Sequence, residues 1–402
     1  MSIRSFLAAV VAACAAFACS ACVMSSQVDQ GVPHEPTEAT ALTADELRDQ
    51  AERIVAQMTL KQKVAQLFII TPEQLTEYDV VTAAGRVTRE AFATYPVGGL
   101  VYFAKNLETP DQTRTMLSNM QSISLETTGL PIFLCVDEEG GDVARVAANP
   151  AFGVTDVGDA WDIGVQGEDA AGQAAAHIAA YLSDLGFNVD FAPVADIVED
   201  PATSSLGGRS FGSDADVVAA AVAAQVRAFT DGGIVACVKH FPGIGAAAGD
   251  SHFGAISISS SLSELKSREL VPFAAAVDAG VQLVMVGHVG VPAVVGSDMP
   301  ASMSSIIMEG VLRSDLGYEG LIITDALNMG AARDMYTDRR IGVEVLLAGA
   351  DLILMPADFP QAYEGILEAV KSGELSEERI DESVVRIVCA KLALGYNAPS
   401  TN

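Results

Sequence analysis

A single (β/α)8 barrel is the fold class this sequence predicts, and three observations carry it. Eight short apolar runs rich in β-branched residues recur along the chain. Most are separated by Ala-rich stretches with helical periodicity, the alternation of strands and helices that one barrel requires. The polar residues gather just after the runs, at the carboxyl ends where barrel chemistry sits. A doubly wound open sheet is the alternative, but no run is followed by Gly-x-Gly-x-x-Gly, so no dinucleotide site is expected.

The chain has 402 residues, half of them hydrophobic, and a net charge of −29. That length can bury one large core. The negative balance argues against a nucleic-acid partner, which needs basic surface. At the N-terminus Arg4 precedes an apolar segment from Phe6 to Ala18, followed by small residues and cysteines. This reads as a signal peptide over 1–22, too short for a comfortable membrane span. Cys19 and Cys22 each follow a small residue, as at a bacterial lipoprotein cleavage site, although neither has a leucine three positions earlier. A lipid anchor to the outer face of a membrane is expected, Cys22 ahead of Cys19, with simple secretion as the alternative. Residues 23–42 carry little apolar content and read as a disordered tether.

The catalytic domain is expected over 43–396. Thr43-Ala-Asp-Glu46 forms a capping box, and Leu47, Ala51, Ile54, Val55 and Met58 follow at helical spacing. The strand candidates are Leu67–Ile70, Gly99–Phe103, Ile132–Val136, Val189–Pro193, Ile234–Val238, Leu283–Val286, Leu321–Thr324 and Leu352–Met355. Ala170–Leu185, Val217–Asp231 and Leu262–Ala279 are helical candidates between them. Cys135 and Cys237 each lie two residues before a polar strand-end residue, so both thiols should face the barrel interior. They stand on strands that are not neighbours, too far apart for a disulfide. Both are expected to be free, with Cys389 unpaired on the last helix.

The third run ends in Asp137-Glu138-Glu139-Gly140-Gly141, with Arg145 beyond it, and Arg209 follows the fourth in Gly-Gly-Arg-Ser-Phe-Gly. Lys239 and His240 end the fifth, His288 follows the sixth, and Asp325 ends the seventh. Any one of these is ordinary strand-end polarity; their convergence on one rim predicts a site. After Lys239-His240, the segment Phe241-Pro-Gly-Ile-Gly-Ala-Ala-Ala-Gly249 cannot continue as strand or helix and reads as a loop. It delivers Asp250 and His252, two apart, so that in extended backbone carboxylate and imidazole share a face. Such a pair sets the imidazole's tautomer and leaves its other nitrogen for proton transfer.

The stretch Lys239-His-Phe-Pro-Gly-Ile-Gly245 through Asp250-Ser-His252 resembles the signature of the glycoside hydrolase family 3 β-N-acetylglucosaminidases. The resemblance runs from about Met58 to Leu394. It implies that Asp325, in Thr-Asp-Ala-Leu-Asn-Met, is the nucleophile, and that Asp250 and His252 form the acid/base dyad. It also implies sugar binding by Asp137, Arg145, Arg209, Lys239 and His240, with no cofactor and no metal. Asp298-Met-Pro-Ala-Ser resembles a further family segment. Two positions depart: Asp142 stands where family members commonly carry arginine, and Ile244 where many carry a polar residue. Both bear on the group bound beside the N-acetylglucosamine.

The implied reaction removes a terminal β-linked N-acetylglucosamine with net retention, one carboxylate attacking and an acid protonating the leaving group. Lys239 and Arg209 would grip sugar hydroxyls and hold Asp137 ionised. Cell-wall peptidoglycan turnover is the favoured role for an exported enzyme of this kind. A family 3 phosphorylase or β-glucosidase is the nearest alternative. A barrel hydrolase with His240, His252, His288 and Asp250 around zinc lacks a histidine on its first strand. A carbohydrate-binding lipoprotein without turnover would have no need of Asp325, Asp250 and His252 together.

Overall fold

The computed structural model describes residues 43–247, 249, 254–333 and 335–395. The stretches expected to be a signal peptide and a tether, with Cys19 and Cys22, and the expected dyad residues Asp250 and His252 lie outside the described residues.

The eight expected strands form, as β1 (Phe68–Ile70), β2 (Gly99–Val101), β3 (Phe133–Val136), β4 (Val189–Asp190), β5 (Val235–Phe241), β6 (Leu283–Val286), β7 (Leu321–Thr324) and β8 (Ile353–Leu354). Every neighbouring pair from β1 to β7 is parallel, with registers such as Ile69↔Gly99, Cys135↔Val189 and Leu321↔Leu283. β8 pairs with β1 through Phe68↔Ile353, and the bridge Ile323↔Leu352 ties β7 to the start of the eighth strand. The ring is thereby a (β/α)8 barrel. All strand residues from β1 to β3 are buried, as near-continuous apolar runs covered on both faces should be.

Helices follow the strands, among them Pro110–Thr128, Glu168–Leu185, Ala215–Asp231, Asp338–Leu347 and Phe359–Ser372. The first helix, Ala44–Val55, starts at the expected capping box, in which Thr43 accepts from the Glu46 N–H and the Glu46 carboxylate takes the Thr43 N–H at 2.8 Å. Two expectations are corrected. The segment Leu262–Ala279 is two helices, Leu262–Ser267 and Val271–Asp278: the backbone leaves helical geometry at Arg268 (φ −142°, ψ −76°), and Pro272, in the first turn of the second helix, has no N–H to offer the Arg268 carbonyl. The fifth strand runs on to Phe241, so Lys239 and His240 lie within it. Its pairing with β6 loses register between Val238 and Phe241, and both side chains reach the same cavity, which strict alternation would forbid.

The last helix, Glu377–Ala393, crosses the amino-terminal end of the barrel. Arg379 donates to the Ala350 carbonyl, Ser383 and Arg386 reach the buried Asp351, and Lys391 donates to Gln66 just before β1 at 2.7 Å. The Lys391 ammonium stands 5.3 Å over the Phe133 ring. Cys135 and Cys237 are buried and free, and Cys389 is half-buried and free, as expected for these three.

Burial holds the Lys391 pKa down to about 7, with Cys135 acting weakly the other way. An unfolded lysine titrates near ~10.4, so between those values the unfolded chain binds more protons and stability rises with pH. Below pH 7 the folded state carries the full cost of a buried ammonium. Lys391→Met should therefore raise stability below pH 7 by a few kcal/mol, less ~1 kcal/mol for the Gln66 carbonyl left without a donor. It should also flatten the rise between pH 7 and 10. Denaturant unfolding of both proteins across that range checks this; parallel curves would contradict it.

Candidate active site

A cavity of about 320 Å³ opens at the carboxyl ends of the strands. Asp137, Arg145, Arg209, Lys239, His240 and Asp325 all line it, so among the described residues the fold brings together every one to which the family resemblance gave a role. Val143, Leu206, Ile256, Met329, Phe103 and Phe191 are among the other residues of its wall.

Asp325 follows directly on β7. Its backbone N–H is fixed to the Val286 carbonyl at 2.9 Å, and one carboxylate oxygen accepts the next N–H, that of Ala326, at 2.7 Å. Burial opposes ionisation, but His288, His240, the Ala326 N–H and Lys239 outweigh it and hold the carboxyl below the usual range. His288 does not line the cavity. Its ring bridges the Ser302 hydroxyl at 2.7 Å and the Ala326 carbonyl at 3.0 Å, so it braces the backbone beside Asp325. A carbonyl only accepts, so Nε2 carries a proton.

Lys239 bonds both Asp137, at 2.8 Å, and Glu139, at 2.6 Å. Arg209 grips Glu139 with two parallel bonds of 2.7 and 2.8 Å. Burial alone would raise the Glu139 pKa, yet Lys239 and Arg209 pull it down to about 2. This refines the expectation for Arg209: its direct carboxylate partner is Glu139, and only Lys239 bonds Asp137. The two cations share two carboxylates in a fixed lattice, leaving a preorganised polar floor.

Glu138 points the other way. It is fully buried and accepts from the N–H groups of Arg145, Val146 and Ala147 at 2.6, 2.8 and 2.8 Å, and from the Tyr181 hydroxyl at 2.8 Å. Burial still leaves its pKa raised. That clamp sets the start of the segment bearing Arg145, whose guanidinium lies 5.9 Å over the Phe103 ring and whose Nε is buried without a hydrogen-bond partner among the described residues. A donor so placed suits a ligand hydroxyl or carbonyl.

Two site residues escaped the sequence reading. Glu139 had a signal, since it stands two after Asp137 in a short strand, Glu138–Gly140, and so shares its face. Asp196, which meets His240 at 2.7 Å, had none before the fold placed the two strands side by side. Of the departures from the family pattern, Ile244 lines the cavity and Asp142 is exposed. Among the described residues no group of three or more His, Cys, Asp or Glu is arranged to hold a metal ion. Of the zinc candidates, His240 is engaged by Asp196 and His288 by Ser302 and the Ala326 carbonyl, while Asp250 and His252 lie outside the described residues.

Residues 59–390 match the model of the glycosyl hydrolase family 3 N terminal domain. Beta-hexosaminidase A of Pseudoalteromonas piscicida is 32% identical over 335 residues, which cover 77% of this chain and 56% of that protein. Beta-hexosaminidase LpqI of Mycobacterium tuberculosis is 31% identical over 358 residues, 84% of each. Among solved structures, a glycoside hydrolase family 3 beta-N-acetylglucosaminidase from Paenibacillus sp. superposes with a TM-score of 0.78 at 37% identity, covering 86% of this chain and 65% of that one. The chain thus spans little more than half of the first relative and most of the second.

Proposed function

We propose that this chain, which belongs to glycosyl hydrolase family 3, is a retaining β-N-acetylhexosaminidase that removes terminal β-linked N-acetylglucosamine. One observation carries the reading: Asp325, charged below the usual carboxylate range, stands at a strand end in the cavity lined by Asp137, Arg145, Arg209, Lys239 and His240. The Asp325 carboxylate attacks the anomeric carbon while an acid gives its proton to the departing oxygen, breaking the glycosidic bond. Water then cleaves the glycosyl ester and passes its proton to the same group, which has become the base. We assign that group to His252, paired with Asp250. The lattice of Lys239, Arg209, Asp137 and Glu139 offers donors and acceptors matched to sugar hydroxyls, held in place before the substrate arrives. A cavity of about 320 Å³ suits one terminal sugar.

The protein should release nitrophenol from nitrophenyl N-acetyl-β-glucosaminide at a rate unchanged by added phosphate, the sugar first appearing as the β-anomer. Phosphate-dependent release would assign it to phosphorolysis, and an α-anomer first would exclude a covalent intermediate.

We place its substrate outside the cytoplasm, cell-wall peptidoglycan glycan being the first candidate. The apolar segment from Phe6 to Ala18, which reads as a signal peptide, and the cysteines at 19 and 22 support a membrane anchor through lipid. Replacing both cysteines by alanine should move the enzyme from the detergent to the aqueous phase on phase separation. Wild type already in the aqueous phase would refute the anchor.

A further inference from the structure

Asp196 lies on the segment that continues β4, where Val194 bridges Lys239 and the Ala195 N–H donates to the Lys239 carbonyl. It is wholly buried, and both carboxylate oxygens are in use. Oδ2 meets His240 Nδ1 at 2.7 Å and the His240 backbone N–H at 3.2 Å, and Oδ1 accepts the Ile244 N–H at 2.6 Å. With a carboxylate as partner, Nδ1 carries the proton, so Nε2 is the ring nitrogen that meets a ligand. The Ser210 hydroxyl donates to the Asp196 carbonyl at 2.6 Å, which ties in the residue after Arg209. One residue past Ile244, a Cβ on Gly245 would stand 2.0 Å from the Ile197 carbonyl oxygen, so the root of the loop lies flat against this segment.

We propose that Asp196 is a positioning residue: its single carboxylate fixes the tautomer and aim of His240 and holds the backbone at Ile244, from which the chain runs on to Asp250 and His252. The proposal rests on the roles assigned above to His240 and His252. A carboxylate suits three donors converging on two oxygens; an amide turns an N–H toward one of them. Misplacement on that scale costs on the order of 10²-fold.

Asp196→Asn should therefore lower kcat/KM roughly 10²-fold. Because it acts through other groups, its losses should not multiply with theirs. Combined with His240→Ala and measured with a nitrophenyl leaving group, which needs little acid, it should slow formation of the glycosyl-enzyme little beyond His240→Ala alone. Added to a protein that already carries both His240→Ala and His252→Ala, it should slow hydrolysis of that intermediate little beyond those two changes. Multiplied losses in either cycle would overturn the proposal. A second reading does not depend on activity. In histidine-labelled protein, the strongly hydrogen-bonded imidazole N–H proton that disappears in His240→Ala should also disappear in Asp196→Asn; its persistence would overturn the proposal. If that signal behaves as expected while wild type cleaves no N-acetylglucosaminide, the assigned activity has failed and the positioning of His240 stands. Should Asp196→Asn not fold, Asp196→Glu keeps the charge but displaces it, and the same two readings decide.

Discussion

Asp325→Asn should abolish turnover while sugar binding survives. The amide keeps the shape of the side chain and can still accept the Ala326 N–H through its oxygen, so the cavity should not reorganise. What it loses is the negative charge that attacks the anomeric carbon and that His288, His240 and Lys239 favour. Removing a nucleophile costs on the order of 10⁴-fold or more in kcat, far beyond the loss of one positioning contact. Calorimetric titration with N-acetylglucosamine should give a Kd within a few-fold of wild type. Turnover within tenfold of wild type would remove Asp325 from the chemistry; lost binding with lost turnover would recast it as a sugar ligand.

The second large effect concerns the acid/base pair. His252→Ala should cost roughly 10²–10⁴-fold on a natural disaccharide, the range for a general acid. A nitrophenyl leaving group needs little protonation, so formation of the glycosyl-enzyme from it should be much less affected. Its hydrolysis then lacks a base, and a burst of nitrophenol should precede a slow steady state. Asp250→Asn should show a weaker form of the same pattern, since the ring remains but loses its ionised partner. Equal slowing of both substrates in the first step would make His252 a positioning group and place the acid elsewhere.

The barrel was legible because its strands are short, buried and mostly apolar runs, and the third to seventh are followed by polar residues, a pattern that survives without knowledge of neighbours. The expected limits failed where backbone chemistry intervened, at Pro272 within the helical stretch and at the extended fifth strand that absorbed Lys239 and His240. The site was legible as a set of residues but not as a network. Nothing in the order of the chain says that Arg209 binds Glu139, or that Glu138 turns away to hold three successive N–H groups. Asp196 was hidden for the same reason: its role exists only because β4 and β5 lie side by side. Pairings across strands are properties of the closed ring, and the sequence carries only their components.

The central claim is that Asp325 forms the covalent bond to sugar, and trapping that bond tests it most directly. A 2-acetamido-sugar activated for leaving and slowed by fluorine should inactivate the enzyme with a stoichiometry of one. Digestion and mass spectrometry should then find the added mass on the peptide containing Thr324-Asp325-Ala326. A label on Glu138 or Glu139, with the Asp325 peptide unmodified, would contradict the account.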